Sequence, residues 1–163
     1  MKHNVFIGLG SNQGEKVIQC ERAITEILKV NETSLLAKSS WYKTEPWGNE
    51  GQDWFVNGVI QLIVSLPPHD LLTKYKDIER ALGRQTNGQW EPRIIDIDIL
   101  FYDHLVTTSP DLQIPHPLIH LRNFVLVPMA EIAPHFIHPV FQKDMSKLLE
   151  AGEDHKKVIR LTG

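Results

Sequence analysis

Residues 90–101, WEPRIIDIDILF, constrain the fold of this chain more than any other stretch. The run Ile94, Ile95, Ile97 and Ile99 reads as a strand, yet Asp96 and Asp98 interrupt it. Side chains alternate across a strand, so the two aspartates share one face while Ile95, Ile97 and Ile99 take the other. The aspartate Cα atoms then lie roughly 6.6 Å apart, at ~3.3 Å of rise per residue. Such a strand belongs between a core and a site, because burying an ionised carboxylate is costly unless it is paired or binds a metal. The spacing lets both carboxylates reach a pair of divalent cations about 3.5–4 Å apart, the arrangement that clamps a phosphate chain during displacement. Carboxylate, phosphate and water oxygens also match what Mg²⁺ prefers. On these residues alone a second reading stays open, in which the aspartates face solvent and pair with Arg93 or a lysine.

The rest of the chain supplies a frame for that strand. Residues 4–10 read as a first strand ending in glycines, followed by a turn at GSNQGEK. Val17, Cys20, Ile24, Ile27 and Leu28 recur at helical spacing and predict an amphipathic helix over 15–30. Residues 33–43 and 54–66 read as the second and third strands, separated by a loop rich in Pro, Gly and Asn. Pro67 and Pro68 open a second helix with the stripe Leu71, Tyr75, Ile78 and Leu82, and Gly83 is a natural stop. Residues 94–102 are the fourth strand. Beyond it the chain is irregular and proline-rich, with helices predicted near 122–132 and 144–151 and a last strand at VIRL. The order β-α-β-β-α-β is the split βαβ arrangement. It predicts an α+β, ferredoxin-like antiparallel sheet with helices on one face and C-terminal additions. A chain of 163 residues suits one domain over 1–163.

Several function classes are disfavoured. A net charge of −3 argues against binding nucleic acid by broad phosphate neutralisation. A ferredoxin-like RNA-binding module needs exposed sheet aromatics among basic residues, and the aspartate pair works against that. Cys20 is the single cysteine, so neither an intrachain disulfide nor a cysteine zinc site is available, and its place on the helical stripe marks it as a small core residue. The N-terminus lacks an apolar export segment, no stretch approaches eighteen apolar residues, and the cytoplasm is the expected location. Among eight histidines, His116 and His120 stand at i, i+4 with His135 and His138 nearby. Pro115 and Pro117 argue against a regular helix at His116, so a zinc reading is weak, and His120 and His138 read as surface or loop residues. GLGSNQG is not a dinucleotide fingerprint, because Gln13 stands where the third glycine belongs; it reads as a turn.

Trp90 and Arg93 lie just upstream of the aspartates, a stacking group beside a cation whose planar fork suits phosphate. Arg84 opens the same loop, and His116 and Arg122 follow later. With those residues in view, the chain resembles the 6-hydroxymethyl-7,8-dihydropterin pyrophosphokinase family of folate biosynthesis almost end to end. The segments that carry the resemblance are GLGSN at 8–12, YKTEPWG at 42–48, FVNGV at 55–59, IERALGR at 78–84, WEPRIIDIDIL at 90–100, IPHP at 114–117 and RNFVLVPMAEIAP at 122–134.

The resemblance implies one-step transfer of diphosphate from ATP to the pterin hydroxymethyl group, with AMP leaving. It implies that Asp96 and Asp98 hold two Mg²⁺ ions, with Arg84 and Arg93 as catalytic partners. Glu79, Trp90, Arg93, His116 and Arg122 match positions around ATP. Phe55 and Phe124 match the faces that stack on the pterin, Asn57 its edge reader, and Asp96 also lies at the pterin. Thr44, Glu45 and Trp47 match positions contributing mostly backbone contacts. Strand alternation independently puts Phe55, Asn57 and Val59 on one face. The expected partners are ATP and 6-hydroxymethyl-7,8-dihydropterin, with no nucleic acid and no membrane, and the expected state is a monomer.

The chain departs from the family at Gln85, Thr86, Asn87, Gly88 and Gln89, where typical members carry further basic residues, and at Glu91 and Pro117. Fewer cations mean fewer charge-assisted phosphate contacts. That keeps an alternative open: a pterin- or nucleotide-binding paralogue that is non-catalytic or altered in specificity. The Gly- and Asn-containing loops 45–53 and 84–92 are expected to act as lids that exclude water.

Overall fold

The chain, described by a computed structural model over residues 1–47, 51–83 and 94–162, builds its sheet outward from the first strand. In order the elements are β1 (His3–Ser11), α1 (Lys16–Leu28), β2 (Ser34–Lys38), β3 (Tyr42–Thr44), β4 (Phe55–Val64), α2 (Pro68–Gly83) and β5 (Asp96–Tyr102). There follow β6 (Thr107–Thr108), β7 (Gln113–Ile114), a 3₁₀ turn (Ile119–Leu121), α3 (Asn123–Ile132), α4 (Met145–Ala151) and β8 (Val158–Arg160). The main sheet runs β5-β1-β4-β3-β8, with β2 also on β4, and every pairing in it is antiparallel. This is the ferredoxin-like order expected from the sequence.

The predicted second strand divides into β2 and β3. The break falls at Ser39, whose hydroxyl takes the Val59 N–H at 2.9 Å, and at Ser40, whose N–H and hydroxyl turn to Glu131 on α3. These side-chain bonds replace ladder bonds and redirect the backbone.

One face of the sheet carries Val5, Ile7 and Leu9 of β1 with Ile97 and Ile99 of β5, packed on Cys20, Ile24 and Ile27 of α1 and on Leu71 and Tyr75 of α2. Val17 and Leu28, expected in the α1 stripe, fall at its edge and are exposed. The expectation of helices on one face holds for α1 and α2 only. On the other face Phe6, Leu100 and Phe101 pack on Leu126 and Met129 of α3 and on Met145 and Leu148 of α4. The register steps from Phe6↔Phe101 to Ile7↔Ile99, and this bulge at Leu100 brings two consecutive β5 residues into that second core.

His138 is buried, not at the surface as its sequence context predicts. Its Nδ1 accepts the N–H groups of Val140 and Phe141 at 3.2 and 3.3 Å, and Phe101 and Phe141 close around the ring. Among the described residues no helix is long and apolar enough to cross a membrane.

Candidate active site

The second face is covered by α3 and α4 at one end and, among the described residues, is left open at the other. There β1 presents two glycines. Gly8 lies between Asp98 of β5 and Val59 of β4, and Gly10 between Asp96 and Asn57. The aspartates therefore flank a strip of bare backbone, and Asp96 and Asp98 share the face opposite buried Ile97, as the sequence predicts. A cavity of about 220 Å³ opens over this strip. Its lining includes Asp96, Asp98, Asn57, Phe55 and Phe124, with Thr44, Glu45, Trp47 and Arg122 around them.

The floor depends on the missing side chains. A Cβ on Gly10 would meet Asn57 Oδ1 at 2.4 Å, and one on Gly8 would press on Leu100 at 3.3 Å. Both glycines line the cavity within β1, so the glycine run read as a strand end and turn is part of the site. The signal was present in the sequence: glycine at alternate strand positions marks close approach of another group.

Asn57 is buried and held in one orientation, because its Nδ2 donates to Thr44 Oγ1 at 2.7 Å. The Thr44 side chain thus orients Asn57. Glu45 is likewise engaged through its side chain, Oε1 accepting the Lys157 N–H at 2.7 Å. Trp47 is 40% exposed, and the Arg122 guanidinium lies 4.8 Å over its ring and 5.5 Å over that of Phe124. This stacked cation closes one end of the cavity between two aromatic faces.

Arg122 sits in competing fields. Burial pulls its pKa below the ordinary value, and the Asp98 carboxylate opposes that; it remains a cation near neutrality. Burial, and then the Arg122 charge, push His116 below the usual imidazole range. His116 donates its N–H to Leu100 O at 3.1 Å, and it is not among the described lining residues. Glu79 also lies outside that lining. Its buried carboxylate is on the helix side of β5, where Oε2 accepts the Ile97 N–H at 2.7 Å and Oε1 lies 3.4 Å from Lys76 Nζ. Glu79 thereby holds the backbone of β5 between the two aspartates. Arg84, Trp90 and Arg93, and the proposed lid 84–92, lie outside the described residues.

Among the described residues no three His, Cys, Asp or Glu side chains converge to form a metal cage. Two carboxylates facing an open cavity fit Mg²⁺ better than a closed site would, since Mg²⁺ keeps several waters and completes its shell with phosphate oxygens.

Comparison with known proteins shows the family. The family model for 7,8-dihydro-6-hydroxymethylpterin-pyrophosphokinase matches residues 6–134. A 2-amino-4-hydroxy-6-hydroxymethyldihydropteridine pyrophosphokinase of Methylorubrum extorquens is 41% identical over 132 residues, covering 81% of this chain and 84% of that one. An Aquifex aeolicus protein of the same name is 38% identical over 143 residues, covering 88% of each. The crystal structure of wild-type Plasmodium falciparum HPPK-DHPS superposes with a TM-score of 0.69 at 14% identity. That match covers 91% of this chain but only 43% of the other, and it speaks to the fold alone.

Proposed function

The chain belongs to the 7,8-dihydro-6-hydroxymethylpterin-pyrophosphokinase family, and from that premise we propose how its residues divide the work. The activity is ATP-dependent diphosphate transfer to the hydroxymethyl group of 6-hydroxymethyl-7,8-dihydropterin, with release of AMP, in folate biosynthesis. The observation that carries the assignment of roles is the shared cavity in which Asp96 and Asp98 face Phe55, Asn57 and Phe124 across two glycines.

The pterin lies flat over Gly10, between Phe55 and Phe124, with its polar edge at Asn57. A flat ring needs a floor without side chains, and Gly8 and Gly10 supply one. Asn57, fixed by Thr44, presents its Oδ1 without having to reorient. The hydroxymethyl group then points along the strip toward the aspartates.

Asp96 and Asp98 would hold two Mg²⁺ ions, which when bound neutralise the triphosphate and help lower the acceptor hydroxyl's pKa. The acceptor hydroxyl releases its proton to solvent as its oxygen bonds to the β-phosphorus, the bond from that phosphorus to the oxygen bridging to the α-phosphorus breaks, and AMP leaves with that bridging oxygen. Arg122, beside Asp98, holds positive charge at the mouth where the phosphates enter. Arg84, Arg93, Trp90 and His116 are assigned to the nucleotide side, and Glu79 holds the β5 backbone in register beneath it. The loop 45–53, of which residues 48–50 lie outside the described residues, is assigned to close over the pterin, and the expected state is a monomer.

Purified protein given Mg²⁺, the pterin and ATP labelled in its β-phosphate should form AMP and labelled pterin diphosphate in equal amounts. Formation of ADP, or label left in free diphosphate, would overturn the reading.

A further inference from the structure

The first turn of α3 carries two residues of the cavity, Arg122 and Phe124, yet nothing local caps it. Arg122 occupies the N-cap position and makes no capping bond, and the first turn holds no acidic residue. A helix start leaves N–H groups without partners and favours a negative charge nearby. Here the charge arrives from 31 residues away: Asp154 Oδ2 accepts the Asn123 N–H at 2.8 Å. Asn123 Nδ2 returns a bond to the Asp154 carbonyl at 3.2 Å, and the other carboxylate oxygen accepts the Lys156 N–H at 2.9 Å.

Three residues further along, the same strap is tied to the opposite rim. Lys157 donates its N–H to Glu45 Oε1 at 2.7 Å, and its carbonyl accepts the Glu45 N–H at 3.0 Å. β8 then continues the attachment along β3, pairing Val158 with Thr44. One rim therefore holds Arg122 and Phe124 and the other holds Trp47, and the Arg122 stack spans the two. Residues 154–157 fix the distance between these rims without lining the cavity themselves.

We propose that Asp154 is a positioning residue for the pterin: it holds the start of α3, and with it Phe124 and Arg122, at the separation from Trp47 that the bound ring requires. The inference rests on the pterin reading of the cavity. A role in stability alone would weaken both substrates together, whereas a positioning role acts chiefly on the pterin.

The test is equilibrium titration of the full chain with the pterin, with Mg²⁺ and a non-hydrolysable ATP analogue present, and separately with the Mg²⁺-bound analogue alone. Asp154→Ala should raise the pterin Kd about five- to tenfold, the scale of losing a helix cap, and the nucleotide Kd by less, about two- to threefold, because only Arg122 of the displaced turn faces the phosphates. Asp154→Asn should fall between it and wild type, because one carbonyl oxygen still accepts the Asn123 N–H. It also carries the test if the alanine variant does not fold. Equal weakening of both ligands, or unchanged pterin binding, would overturn the inference. Asn57→Ala, run in parallel, separates the two readings. If it weakens the pterin and Asp154→Ala does not, the strap fails and the cavity stands. If neither changes pterin binding, the cavity reading fails and the strap with it.

Discussion

On the face turned toward α1 and α2, β1 presents Val5, Ile7 and Leu9, all buried; on the other it presents Phe6, Gly8 and Gly10. β5 repeats the contrast, with Ile97 and Ile99 inward and Asp96 and Asp98 outward. The same backbone thus serves two ends. The inward residues hold the sheet by burying apolar area, roughly 25 cal/mol for each Å² removed from water. Gly8, Gly10, Asp96 and Asp98 give up that area to leave room for a flat ring and a phosphate chain. Glu79 joins the two faces, since its carboxylate on the helix side fixes the peptide that positions both aspartates.

Substitutions should separate the faces. Asp96→Ala and Asp98→Ala should each lower turnover roughly a thousandfold or more, because several kcal/mol of charge stabilisation are lost. Their urea midpoints should stay near wild type, and a variant that keeps near wild-type rate would break the comparison at its strongest point. Ile97→Ala, one residue away on the other face, should do the reverse. Loss of a buried Ile side chain costs about 2–5 kcal/mol of stability in a denaturant titration, while KM values on the folded fraction stay unchanged.

Gly10→Ala sharpens the contrast with one methyl group. Its Cβ would fall 2.4 Å from Asn57 Oδ1, so Asn57 must move. We expect a pterin KM raised roughly tenfold, equivalent to about 1.4 kcal/mol, with the ATP KM unaffected. Steady-state kinetics with each substrate varied in turn reads this split.

A further effect lies away from the cavity. Burial, and then nearby His120, hold the His138 pKa down, from 6.5 to about 4. An unfolded chain therefore binds a proton there that the folded chain refuses between those values. The contribution of His138 to stability is complete above about pH 6.5 and is lost as pH falls toward 4. Urea midpoints measured from pH 7.5 to 5 should fall more steeply in wild type than in His138→Gln, and parallel slopes would refute this.

Much of this was legible in the residues themselves. The D-x-D strand, the helical stripes around Cys20 and Leu71, and the proline-opened α2 each follow from local periodicity and turn chemistry. The antiparallel order then follows from the sequence of elements. What escaped was long-range. Nothing near Gly8 shows that it will lie beside Asp98, and its place as floor needs the β1–β5 register. The buried state of His138 depends on Phe101 and Phe141 arriving from elsewhere. The bond that Asn57 donates to Thr44 spans two strands, and the cap on α3 comes from the C-terminal strap. The family resemblance supplied the roles of Phe55 and Phe124, which as aromatics in an apolar context read equally well as core residues.

The central claim, that the outward face of β5 holds the metal while its inward face holds the fold, is tested most directly by Mn²⁺ titration. Binding to wild type, Asp96→Ala and Asp98→Ala can be followed by electron paramagnetic resonance with a non-hydrolysable ATP analogue present. We expect two Mn²⁺ per wild-type chain and loss of protein-dependent binding in both variants, with circular dichroism spectra matching wild type. Two ions bound with unchanged affinity in either variant would contradict the account.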